Sequence, residues 1–76
     1  MNEQRFRELN HKVNKGTATK EEKDEYMRMM LDAGKITQDQ YDRYKSGEQS
    51  DALLSIAMLA GAVLLLGWIL KNSGNE

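Results

Sequence analysis

Between Ala52 and Leu70 the sequence reads ALLSIAMLAGAVLLLGWIL, nineteen residues without a charge. As a helix rising about 1.5 Å per residue this stretch spans roughly 28 Å, close to the ~30 Å hydrocarbon core of a bilayer. Ten of the nineteen are Leu, Ile or Val. Each of these favours insertion by about 0.3–0.6 kcal/mol at the centre of a span, a few kcal/mol together. Ser55 is the single hydroxyl in the stretch, and it can bond back to the carbonyl one turn earlier. The competing reading is the core helix of a soluble domain, and it fails on supply. A helix apolar on every side needs covering on every side, yet residues 1–51 offer only about a dozen apolar side chains, many required for their own packing. A signal peptide does not fit either, because the segment is C-terminal and the first residues, MNEQRFRELN, are polar.

The flanks suggest how the span sits. Trp68 lies near its far end, where an indole favours the interfacial belt, and Lys71 follows as a snorkelling anchor. Lys35, Arg43 and Lys45 precede the span, whereas Lys71 alone follows it. The positive-inside rule then puts the N-terminus in the cytoplasm. The expected organisation is a helical cytoplasmic module over residues 1–48, a joint at 49–51, a transmembrane helix at 52–70 and a short translocated tail at 71–76. That is the tail-anchored, single-pass arrangement.

The first 51 residues have the opposite character, holding ten of the eleven Lys and Arg and eleven of the twelve Asp and Glu. The chain lacks cysteine, so neither disulfides nor thiolate-bound metal can reinforce a core this small. A net charge of -1 leaves no basic footprint for nucleic acid.

The polar half contains no proline and no strand-like alternation, and it reads as short helices separated by glycine. Phe6, Leu9 and Val13 form one face of a first helix over Glu3–Lys15, with Gly16 suited to a left-handed stop. TKEE at Thr19 is a capping box for a second helix, whose apolar stripe is Tyr26, Met27, Met30, Leu31 and Ala33, closed by Gly34. TQDQ at Thr37 is another capping box, and Ile36 and Tyr41 take the positions of a hydrophobic staple. Gly47 ends that third helix, and Ser50 or Asp51 can cap the next one. GTATKEEKDEY (Gly16–Tyr26) also aligns with GKITQDQYDRY (Gly34–Tyr44) at a spacing of eighteen; capping chemistry alone can generate such a match. The expected fold class is all-α, with two or three short glycine-punctuated helices followed by one C-terminal transmembrane helix.

Within residues 29–47, Leu31, Gly34, Ile36, Thr37, Gln40, Tyr41 and Lys45 form a pattern that resembles the bacterial short C-terminal domain, SHOCT. The resemblance implies a helix ending at the glycine, a second opening at Ile-Thr, and oligomerisation or protein contact without catalytic residues. The sequence departs from the pattern in three ways. Gln40 stands where the family has Glu, the closing pair of leucines is missing, and a span follows the segment.

No catalytic, cofactor-binding or metal-binding residues are identifiable. His11 is the single histidine, and carboxylate pairs such as Glu21 and Glu25 lie on a solvated helix face without a pocket to shift their pKa values. No enzyme activity, cofactor or small-molecule substrate is expected. The candidate contact residues are Tyr26, Met27, Met30, Ile36, Tyr41 and Tyr44, types enriched at protein interfaces, though they serve equally as the small core of a three-helix cluster. Within the span Ala57 and Gly61 form a small-xxx-small pair that Ala60, Leu64 and Gly67 extend, a face on which another helix can approach closely. The expected partners are the lipid bilayer and either a protein or a second copy of the span. The expected role is an adaptor or regulatory subunit. The alternative is a repeated structural subunit of a membrane-bound assembly, such as a membrane-containing phage virion or a multi-subunit complex. A lone Lys71 after the span argues against genome packaging.

Overall fold

Capping chemistry fixes where the short helices begin. In the computed structural model, which describes residues 2–73, the side chain of Asn2 accepts from the Arg5 amide at 3.0 Å and opens α1 (Glu3–Lys15). Thr19 opens α2 (Lys20–Asp32) with both arms of a capping box, Glu22 N–H to Thr19 Oγ1 at 3.1 Å and Thr19 N–H to Glu22 Oε1 at 2.9 Å. Thr37 and Gln40 repeat the device at the start of α3 (Gln38–Lys45), with arms of 3.1 and 2.8 Å. Each box satisfies two amides that the first helical turn leaves without partners.

The helix ends are equally local. Gly16 has φ 74°, which lets its N–H reach the Val13 carbonyl while the Thr17 N–H reaches that of Lys12. This pair of bonds is a Schellman stop, and it needs a residue without a left-handed penalty. The same bond pattern recurs at Gly34 and Gly47. A fourth helix, α4 (Ser50–Ser73), follows a turn in which Gln49 takes φ 54° and its carbonyl accepts the Leu53 amide. Ser50 is therefore already helical, one position ahead of the cap expected at Ser50 or Asp51. Ser55 Oγ donates to the Asp51 carbonyl at 3.0 Å, removing the only hydroxyl of the apolar stretch from consideration as an unpaired group.

The described residues are thus all helical, with three short helices and one long apolar one. Of the tail at 71–76, residues 74–76 lie outside the described residues. The short helices pack on one another and along α4, and the molecule measures 45 Å along its longest axis. The core is Phe6, Leu9 and Val13 from α1, Tyr26, Met27 and Met30 from α2, Ile36 and Tyr44 around α3, and Leu53 and Ala57 from α4. Ion pairs pin the edges. Arg5 donates two hydrogen bonds to Glu25 at 2.8 and 2.9 Å, and Lys12 meets Glu22 at 2.6 Å, together fastening α1 to α2.

Candidate membrane and helix-packing site

α4 has two apolar faces with different surroundings. Leu53, Ala57 and Gly61, spaced one turn apart, are buried, and Leu64 and Trp68 continue that side half-buried. The opposite side carries Ile56, Leu59, Val63, Leu66, Ile69 and Leu70, which are 44 to 72% exposed. From Ser50 to Lys71 the helix has a mean hydropathy of 2.5 over its most apolar window, of which only 17% is buried. It is long and apolar enough to cross a membrane. An apolar stripe this continuous on a small chain marks an interaction or membrane surface.

The buried face meets an aromatic wall built by α1 and α2. Phe6 stacks on Tyr26 with centroids 5.3 Å apart and meets Trp68 edge-on at 5.8 Å. The Arg7 guanidinium lies 6.0 Å from the centre of the Trp68 ring, within cation–π range. Tyr26 donates its hydroxyl to Asn10 Oδ1 at 2.8 Å and reaches the Ala57 carbonyl at 3.5 Å. Burial pushes the Tyr26 phenol up to about 12, so it remains a neutral donor at physiological pH. At Gly61 side chains of both α1 and α2 come up against α4. A methyl group added there would overlap the Tyr26 hydroxyl and lie 3.2 Å from both Asn10 Oδ1 and Phe6 Cζ.

A second cluster fixes the entry to α4. Asp24 accepts from Lys20 at 3.0 Å, from the Tyr44 hydroxyl at 2.9 Å and from Lys45 at 3.2 Å. Burial pushes its carboxyl up, but the three donors together outweigh that and hold it below the usual aspartate value. The Tyr44 phenol moves the other way, raised by burial and by its bond to Asp24. Lys20, Asp24 and Lys45 therefore form a charged corner beside Ser50, Asp51 and Leu54, where the polar and apolar parts of the chain meet.

The candidate residues distribute unevenly over this arrangement. Tyr26, Met27 and Met30 are fully buried, Ile36 and Tyr44 nearly so, and Tyr41 is half-buried. Five of the six contact candidates thus sit in the core, closed over in part by α4. Ala57 and Gly61 face the chain's own α1 and α2, Ala60 and Leu64 flank them half-buried, and Gly67 lies exposed with nothing near it. Trp68 lies against Phe6 and Arg7, and Lys71 is exposed. Three residues absent from the candidate set, Phe6, Arg7 and Asn10, supply most of the wall that α4 meets. Phe6 showed itself as a core position through its spacing with Leu9 and Val13, but nothing local marks it as Trp68's neighbour.

This docking has an energetic consequence. Trp68 lies about 27 Å along α4 from Ser50 at ~1.5 Å per residue, and α1 accompanies it there through Phe6 and Arg7. If α4 crossed a bilayer while docked, α1 would lie beside its middle, where Asn10 approaches Gly61, and would draw its charged side chains toward the hydrocarbon. A charge at the centre of a span costs about 2.5–3.5 kcal/mol, so two such charges cancel the few kcal/mol that the apolar residues of α4 contribute. On this arithmetic the docked arrangement opposes any crossing of a bilayer by α4. No known protein family, curated protein or solved structure matches this chain.

Proposed function

We propose that this chain is a small single-pass membrane protein of the tail-anchored type, with α4 as its span. Residues 1–48 form a cytoplasmic helical module that contacts a protein partner as an adaptor or regulatory subunit. The observation that carries the membrane reading is the exposed outer stripe of α4, from Ile56 to Leu70, on a helix with a mean hydropathy of 2.5. The three short helices of the polar half are too small to cover it, and water is a poor solvent for it. The excess of Lys35, Arg43 and Lys45 over Lys71 supports a cytoplasmic N-terminus. The resemblance of residues 29–47 to SHOCT supports a protein-contact role.

A repeated structural subunit of a membrane-bound assembly is the second reading, favoured by the close-approach face at Ala57 and Gly61. Both readings require membrane integration, which alkaline carbonate extraction and protease protection test directly. A protein released entirely by carbonate would defeat both. Chemical cross-linking in native membranes then separates them. Ladders of the chain with itself support the structural subunit, and one defined heteromeric band supports the adaptor.

A further inference from the structure

We propose that the α1–α3 module is a releasable mask for the membrane-crossing helix. The chain holds the inner face of α4 against Phe6, Asn10 and Tyr26 before insertion, and gives it up to cross the bilayer. The proposal rests on the membrane reading above and adds a conformational step to it.

Three observations converge on this exchange. The contact is shaped for α4: Tyr26 and Phe6 close on Gly61 so tightly that no side chain fits between them, and Trp68 meets Phe6 edge-on. The contact is also one-sided. Leu53, Ala57 and Gly61 are covered, whereas Ile56, Leu59, Val63 and Leu66 on the outer stripe remain bare. Docking therefore shields only part of the span, and a bilayer offers α4 a more complete apolar environment than the module does. Finally, the two arrangements oppose one another, because α1 holds Asn10 beside Gly61 at the middle of the span, with Arg7, His11 and Asn14 lining the same groove.

The order of events follows from which face is free. The outer stripe points away from the charged helices, so the docked molecule meets a bilayer with Ile56, Leu59, Val63 and Leu66 first, α4 lying in the plane of the surface. Insertion then breaks the Phe6–Trp68 and Tyr26–Ala57 contacts, turns α4 across the membrane and leaves the module outside. The small-residue face of Ala57 and Gly61 is uncovered in the same step.

The chain has no cysteine, so an engineered pair reports docking cleanly. His11 and Leu65 line the same groove between α1 and α4, and neither belongs to the fully buried core. The His11→Cys/Leu65→Cys variant, synthesised without membranes, is joined by a short cleavable bis-thiol linker. It is then mixed with vesicles of phosphatidylcholine and phosphatidylglycerol. Single-cysteine variants capped with the matching monofunctional reagent serve as controls. Integration is read as carbonate resistance and as quenching of Trp68 by brominated acyl chains. Locking the helix down removes the insertion-competent form, so the integrated fraction should fall about tenfold or more and recover when the linker is cleaved. Failure of the linker to join the pair in buffer overturns the proposal, as does a linked protein that integrates as well as the controls. If the capped controls themselves fail to integrate, the membrane reading falls and this inference falls with it.

Discussion

A methyl group on Gly61 should weaken the docked fold, whereas the same change six residues later should strengthen it. Both glycines lie within α4, where alanine is favoured over glycine by about 1 kcal/mol. That gain is common to both sites, so the difference between Gly61→Ala and Gly67→Ala isolates the packing term. At Gly67 an added Cβ meets nothing within 4 Å. At Gly61 it overlaps the Tyr26 hydroxyl, which cannot swing aside: its ring is fully buried, stacked on Phe6 and tied to Asn10. Forcing an extra carbon into a filled site costs about 1–3 kcal/mol.

Urea titration of the full chain in membrane-free buffer, followed by Trp68 fluorescence, reads this difference. With a slope near ~1 kcal/mol per M for a protein this small, the two midpoints should lie about 1–3 M apart, Gly67→Ala being the higher. Tyr26→Phe supplies the internal check. It removes the oxygen that the new methyl meets, at a cost of about 0.5–1.5 kcal/mol for the lost bond to Asn10. In that background the gap between the alanine variants should narrow by roughly half or more, a coupling measured by the double-mutant cycle. Equal midpoints for Gly61→Ala and Gly67→Ala, or a gap untouched by Tyr26→Phe, would refute the claim that α4 docks through Gly61.

Two further outcomes follow from the same contacts. Glu22 and Glu25 are held below the ordinary carboxylate range, chiefly by hydrogen bonds from Lys12 and Arg5 respectively. Their folded pKa values lie below the unfolded ones, so the stability they add is complete above about pH 4.3 and lost as pH falls through the folded values. A circular-dichroism titration should show acid unfolding that shrinks in Arg5→Gln/Lys12→Gln, and an identical acid limb in that variant would contradict the assignment. Residues 1–48 alone should be helical but marginal, since they lose Leu53 and Ala57 from the core and bare Phe6 and Tyr26. A cooperative melt of that fragment at high temperature would contradict this.

What the sequence disclosed and what it withheld divide along the range of the interactions. The bounds of α1, α2 and α3 follow from Asn2, Thr19 and Thr37 and from the bonds at Gly16, Gly34 and Gly47, all made within a few residues of chain. The long apolar helix announces itself through nineteen uncharged residues. The face on which it packs does not, because a helix apolar on every side carries no pattern to single one out. Ala57 and Gly61 were legible as a place of close approach, but small residues do not say what approaches. Here it is Tyr26 and Phe6 of the same chain, and the latter's neighbour Trp68 lies far along the sequence. The Tyr and Met set of α2 was ambiguous for the same reason, since whether Tyr26 faces a partner or a core depends on where α4 lies.

The dual use proposed for α4 also bears on what the module would do once the helix had left it. While docked, α4 covers Phe6 and Tyr26 and contributes Leu53 and Ala57 to a core of few residues. Moving it into lipid satisfies α4 but strips the module of part of its roof, leaving a stacked aromatic pair and the Asn10 amide open to water. A domain of this size has little stability in reserve, because so small a fraction of its surface is buried to begin with. On the proposed function, membrane insertion and partner binding would therefore be coupled through one surface. Anything that covers Phe6 and Tyr26 in place of α4 stabilises the inserted form over the docked one, by an amount set by its affinity for the bared face. The surface whose occupancy changes on insertion is the aromatic wall of α1 and α2, and binding there is what would make the module responsive to whether its anchor is in the membrane.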